Sequence, residues 1–275
     1  VQIVITGASG FLGRALTRRL VDEGIRCLSV SRKSIPGFLQ VGDYAEAPAG
    51  DVLIHLAEIN DRGLANRLGT ACEQEAERTL AALLGKGYGR VIYASSAVLY
   101  GDGASSLHRE TDPVCVVDSY TKIKFASENA VLRQGGVAAR LTNLYGPGMA
   151  GVNVLSHILR QLGLDGPISL QDIKPVRDFL WIDDVTEVIV KMAHAKADGI
   201  FNVGSGVGTS IRELAAAVLA TVGQPEREIV SVRTEGLPSH IIVDISKTIG
   251  AFDWRPSISL HEGIRKLVVN KLEHV

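Results

Sequence analysis

The sequence predicts a doubly wound α/β fold, a mostly parallel sheet with helices on both faces, joined to a smaller, interleaved C-terminal lobe. Three observations predict it. Apolar strand-like runs alternate with helical patterns through the first two-thirds of the chain, which implies crossover connections between parallel strands. Glycines at 7, 10 and 13 join the first run to the first helical pattern. After Tyr145-Gly146-Pro147-Gly148 the rhythm changes.

Taken in order, residues 1–5 read as a strand and 11–23 as an amphipathic helix. Further strands are expected at 26–31, 39–41 and 51–56. A long helix over 63–84 leads to the apolar run 90–94, and a helix over 119–133 precedes a strand at 137–141. Beyond residue 148 the pattern gives a helix at 152–162, a short strand at 168–170, a helix opening at Asp183-Asp184 and a strand at 200–203. Two more helices follow Thr209, with a strand-like stretch at 229–232 between them. The pattern contains no internal repeat or long linker.

The 275 residues are 46% hydrophobic and 21% charged, with a formal net charge of −1. This is a globular composition with room for one large core and a small second lobe. Near-neutrality leaves no electrostatic footprint for nucleic acid or an anionic membrane. No apolar stretch reaches the roughly 20 residues that span a bilayer, and no leader pattern precedes the first strand, so a cytoplasmic protein is expected. Cys27, Cys72 and Cys115 are sparse and lack metal-ligand spacing. They read as packing residues in a reducing compartment, and no metal is expected.

Thr6-Gly7-Ala8-Ser9-Gly10-Phe11-Leu12-Gly13 sits between the first strand and the first helix. The first glycine allows a tight turn, the second lets a pyrophosphate approach the backbone, and the third lets helix pack on strand. The helix N-terminus offers free N–H groups to phosphate. In strand–turn–helix context this is a dinucleotide site. An acid at the end of the second strand holds the ribose hydroxyls of NAD, whereas an arginine accommodates a 2′-phosphate. This chain has Ser31-Arg32-Lys33 there. NADP(H) is therefore expected to be preferred, with Arg32 as clamp and NAD(H) still possible.

Tyr120 and Lys124 are four apart in a helical stretch and share a face. An ammonium beside a phenol stabilises the phenolate and makes the pair an acid/base device. Tyr93-Ala94-Ser95-Ser96-Ala97-Val98-Leu99-Tyr100-Gly101 places hydroxyls just past the C-terminal end of an apolar strand. Open parallel sheets hold their ligands at that edge.

Together these motifs resemble the extended short-chain dehydrogenase/reductase family, in its nucleotide-sugar epimerase/dehydratase/reductase group. The resemblance also rests on HLAE at 55–58, Glu110–Pro113, RLTNLYGPG at 140–148, RDFLWIDDV at 177–185 and FNVGSG at 201–206, so it spans nearly the whole chain. It implies a Rossmann domain over 1–145, to which 179–204 returns, and a substrate lobe from 146–178 and 205–275. It implies Ser96 as the catalytic hydroxyl, Tyr120 as acid/base, and Lys124 as the group that holds the nicotinamide ribose and tunes Tyr120. By the same resemblance Asp43 contacts adenine, and Leu56 and Ala57 wall the pyrophosphate. Asn143 contacts the sugar or its phosphates, and Arg177 and Arg233 grip a diphosphate, which suits guanidinium. Asp183 and Asp184 are expected to cap a helix. A homodimer joined through the helices near 63–84 and 119–133 is implied as well.

Three departures narrow the chemistry. The Asp-Glu pair that serves 4,6-dehydratases is replaced by Ala97-Val98, which transfer no proton and disfavour water elimination. The Asn-x-x-Gly-Thr helix start stands about six residues early, as Asn66–Thr70, with Cys72-Glu73 near the usual asparagine place. Residues 171–176 replace a glycine-rich turn, and the chain is short, similar to deoxysugar-forming reductases of the CDP-paratose synthase type. The expected function is hydride transfer at a sugar carbon, by 4-keto reduction or C4 epimerisation. Reduction of a small non-nucleotide carbonyl compound and a silent NAD(P)-sensing role are the alternatives.

Overall fold

The computed structural model describes residues 1–103, 107–233 and 239–272, with side chains to residue 269. The first half alternates β1 (Ile3–Thr6), α1 (Phe11–Asp22), β2 (Cys27–Ser31), β3 (Leu39–Gln40) and β4 (Val52–His55). Next come α2 (Arg62–Leu68), α3 (Thr70–Leu84), β5 (Arg90–Ser96), α4 (Ser119–Leu132) and β6 (Val137–Leu141). The second half holds β7 (Asn143–Tyr145), α5 (Val154–Gln161), β8 (Ile168–Leu170), β9 (Val176–Trp181), α6 (Ile182–His194) and β10 (Gly199–Val203). It closes with β11 (Gly208–Ser210), α7 (Ile211–Thr221), β12 (Ile229–Ser231), β13 (His240–Ile241), α8 (Ser246–Phe252) and α9 (Leu260–Leu272).

Seven parallel strands form the large sheet, in the order β10-β6-β5-β4-β1-β2-β3. Every residue of β1 and β4 is buried, as strands covered on both faces require. Leu16 and Leu20 of α1 and Val185, Val188 and Ile189 of α6 cover one face. Leu80 and Leu83 of α3 and Val131 of α4 cover the other. Winding reverses between β1 and β4, so the crevice for a ligand opens at their C-terminal ends. The chain is α/β with a Rossmann-like sheet, and β10 adds its last strand from the C-terminal half.

The smaller lobe is a mixed sheet centred on β9, which pairs with β11 antiparallel and with β7 and β13 parallel. A parallel pair, β8 with β12, stands beside it. Its core joins Leu155 and Ile158 of α5, Leu214 and Val218 of α7, and Ile264 of α9 to Trp181 and Phe179. Among the described residues no helix is long and apolar enough to cross a membrane.

Five expectations change among the described residues. The helix over 63–84 is two helices, because Gly69 turns the chain at φ +56°, a conformation outside any helix. Three helices rather than two follow Thr209, and residues 176–181 form a strand. Asp183 and Asp184 lie in the first turn of α6 without capping it. Asp183 accepts from Trp181 Nε1 at 2.9 Å, and Asp184 binds the Ser257 and Ile258 amides at 3.0 and 3.1 Å. Cys72 is buried as expected, whereas Cys115 is exposed.

Candidate active site

The glycine turn is a cradle shaped by what it leaves out. Gly7 lies at φ +73°, and a Cβ there would stand 2.8 Å from the Leu56 carbonyl. A Cβ on Gly13 would come 2.6 Å from the Cα of Ala8. Gly10 begins α1 with no side-chain cap, so the first N–H groups of the helix remain available to an anion. These features fit the pyrophosphate of a dinucleotide. Phe11, Leu12 and Leu56 line the same cavity as the three glycines. Ser9 and Ala57 lie beside them in the two loops, half-buried.

At the far end of this groove Ser31 is buried and accepts the Lys33 amide through Oγ at 2.9 Å. The Arg32 guanidinium is exposed and stands 5.3 Å from the centre of the Tyr44 ring. Asp43 caps the short turn Tyr44–Glu46 by accepting from Ala45 at 2.8 Å and pairs with Arg78 of α3 at 2.5 Å. The Ala45 amide first, and Arg78 second, hold the Asp43 carboxyl below its usual range. Arg78 was not anticipated, since it lies 35 residues from Asp43.

Ser96, Tyr120 and Lys124 line one cavity of about 590 Å³, together with the glycine turn, Ala97, Val98 and Asn143. Ser96 ends β5, and its Oγ accepts the Val98 amide at 3.2 Å. Tyr120 stands in the first turn of α4, which Asp118 begins through a capping box with Thr121. Asp118 also binds Arg62 Nε at 2.6 Å and Asn66 Nδ2 at 3.1 Å. Burial pushes this carboxyl up, but the Thr121 amide, Arg62, the Thr121 hydroxyl and Asn66 outweigh it and hold it well below the carboxylate range. Asn66 accepts the Tyr120 amide at 3.2 Å, so the displaced asparagine serves the start of α4.

Lys124 is buried, with Nζ 5.9 Å from the centre of the Tyr120 ring. It donates to the Ala94 carbonyl at 2.9 Å and to Glu58 at 3.1 Å. The Glu58 side chain is 4% exposed and also accepts from Ser127 Oγ at 2.6 Å and from the Tyr93 hydroxyl. Its carboxyl is lowered overall: burial pushes it up, and Lys124, His55, Ser127 and Tyr93 more than reverse that. His55 bonds Thr6 Oγ1 through Nδ1 at 2.7 Å, and burial pulls it down to about 4. Glu58 was visible in the sequence only as a letter of HLAE.

Beneath the site a second buried pair braces the sheet. Arg140 of β6 holds Glu128 of α4 at 2.5 Å, and Glu128 accepts from Ser95 Oγ at 2.7 Å. Tyr100, stacked on His108 with ring centres 4.7 Å apart, donates to Asn202 at 2.7 Å. The segment after β5 is thereby tied to β10.

Residues expected at a substrate phosphate are less uniformly disposed. Asn143 is exposed on the cavity wall and donates to the Asp178 carbonyl at 3.2 Å. Arg177 instead reaches Ser239 Oγ at 2.6 Å and Asp102 at 3.3 Å. Arg233 is exposed, and its backbone N–H donates to the Gln171 carbonyl at 2.9 Å. Neither arginine lines the cavity wall. Asp178, next to Arg177, is buried and accepts the Ser205 and Gly206 amides at 2.7 and 2.9 Å.

The chain is similar in sequence and in fold to known proteins. The chain is 27% identical to a dTDP-6-deoxy-L-talose 4-dehydrogenase (NAD(P)(+)) of Kitasatospora kifunensis, over 97% of this chain and 94% of that one. It is 26% identical to a dTDP-L-rhamnose 4-epimerase of Burkholderia thailandensis, over 97% and 93% of the two chains. The fold superposes on a UDP-glucose 4-epimerase of Thermotoga maritima solved with UDP-glucose, at a TM-score of 0.88 and 20% identity, covering 100% and 99% of the two chains. Residues 3–204 match the profile of the NAD dependent epimerase/dehydratase family. With its glycine cradle and its Ser96, Tyr120 and Lys124 cavity, the chain is an enzyme of the NAD dependent epimerase/dehydratase family.

Proposed function

We propose that the enzyme transfers hydride at C4 of a nucleotide-bound sugar, in the reductase direction on a 4-keto-6-deoxy sugar. The observation that carries this reading is that Ser96, Tyr120 and Lys124 share one cavity with the dinucleotide cradle. The nicotinamide supplies the hydride. Ser96 donates a hydrogen bond to the substrate carbonyl and polarises it, and Tyr120 delivers the proton to the oxygen as it becomes a hydroxyl. Lys124 holds the cofactor ribose and places positive charge near the phenol. Ala97 and Val98 directly follow the serine and offer no acid or base for eliminating water.

Asn143 serves the sugar or its phosphates in this reading, and Arg177 and Arg233 serve the diphosphate. Arg32 takes the 2′-phosphate of NADPH, Ser31 lies beneath that ribose, and Asp43 meets the adenine. Two copies pair through α3 and α4. The epimerase reading uses the same three residues with a retained NAD, and the Burkholderia relative's name favours it.

The test is to denature the purified enzyme, identify any released dinucleotide, and titrate the stripped protein with nucleoside diphosphates. An empty site that accepts NADPH, with loss of turnover in Tyr120→Phe, is the expected result. Stoichiometric NAD would transfer the conclusion to the epimerase. Failure of every nucleoside diphosphate to bind would point to a small neutral carbonyl substrate. Undiminished turnover in Tyr120→Phe would sink the catalytic assignment.

A further inference from the structure

Glu58 places a carboxylate where the mechanism has no use for one. It lies in the loop after β4, lines the cavity, and has a side chain only 4% exposed. Four groups surround it: Lys124 Nζ at 3.1 Å, Ser127 Oγ at 2.6 Å, the Tyr93 hydroxyl, and His55 Nε2 at 3.9 Å. Three are donors that stabilise an anion. The fourth, His55, is neutral near pH 7, because burial pulls it down to about 4. Glu58 is therefore a fixed negative charge beside the Lys124 ammonium, in an interior where water screens little.

Those two charges act differently on the two oxidation states of a nicotinamide. The oxidised ring is a cation and the reduced ring is neutral. An ammonium alone would repel only the cation; a carboxylate paired with it offsets that repulsion. We propose that Glu58 sets the ratio of oxidised to reduced cofactor affinity, favouring the oxidised form and so making the bound reduced form a stronger hydride donor. The inference rests on the reading that puts the nicotinamide ribose at Lys124.

The experiment measures dissociation constants for NADP⁺ and NADPH on stripped protein by calorimetry. Glu58→Gln should weaken NADP⁺ at least about tenfold more than NADPH, about 30 mV for a two-electron couple. Lys124→Met should shift the ratio the opposite way, since it removes the other sign of charge. Glu58→Asp keeps the charge and should hold the ratio within about threefold of the parent. If Glu58→Gln does not fold, the sign of the Lys124→Met shift carries the test. Equal weakening of both forms in Glu58→Gln, or a Lys124→Met shift toward NADPH, would overturn the proposal. If the unaltered protein binds neither form, the cofactor reading itself fails, and this inference goes with it.

Discussion

At the scale of single residues, the contrast between Arg32 and Glu58 is instructive. Arg32 is exposed just past the end of β2, with its guanidinium over the Tyr44 ring and close enough to Asp43 to help lower that carboxyl. An exposed guanidinium is well placed to take a phosphate in a bidentate fork. Arg32→Ala should raise the dissociation constant for NADPH at least about tenfold, with NADH changed less than about threefold. Fluorescence titration with both cofactors checks this, and equal losses would remove Arg32 from the 2′-phosphate. Arg32 was legible in the sequence because its place follows from a strand end and one motif. The Glu58–Lys124 pair was not, since 66 residues separate its members.

At the scale of elements, α4 shows how a local cap serves a distant purpose. Asp118 starts the helix two residues before Tyr120 and is itself gripped by Arg62 and Asn66 of α2. Removing a helix cap costs about 1–2 kcal/mol. Asp118→Ala should therefore lower the unfolding free energy by about that amount, and turnover should fall because the first turn positions Tyr120. Denaturant melts beside steady-state rates test the two effects; a variant with unchanged stability would deny the cap its role. The capping pattern is local and readable. The break at Gly69 that lets α2 swing toward Asp118 is not, because apolar spacing continues through it while the backbone does not.

For the whole molecule, acid stability is written into the centre of the large sheet. His55 ends β4, is 1% exposed, and is drawn from 6.5 to about 4 chiefly by burial. The folded value lies below the unfolded one, so between these limits the unfolded chain binds a proton that the folded chain refuses. The stability this residue supports is present above pH 6.5 and is lost as the pH falls toward 4. The loss is on the order of 3 kcal/mol across that window. Melting temperatures at pH 7 and 4.5 should differ clearly in the parent protein and less in His55→Asn. An identical drop in both would mean that other groups govern the transition.

The sequence alone displayed the class of fold, the glycine turn, and Ser96, Tyr120 and Lys124, which meet in one cavity. Each depends on short-range spacing: glycines three apart between a strand and a helix, and Tyr120 and Lys124 one helical turn apart. Periodicity and backbone sterics act over such distances, so the chain displays them directly. Only the tertiary structure decided that Arg177 meets Asp102 and that Arg78 meets Asp43. It alone put a buried carboxylate against Lys124. These are meetings of residues far apart in sequence, made when parallel strands are brought side by side by crossovers. Charge pairing at a sheet edge is fixed by strand order, and strand order is a property of the packed molecule.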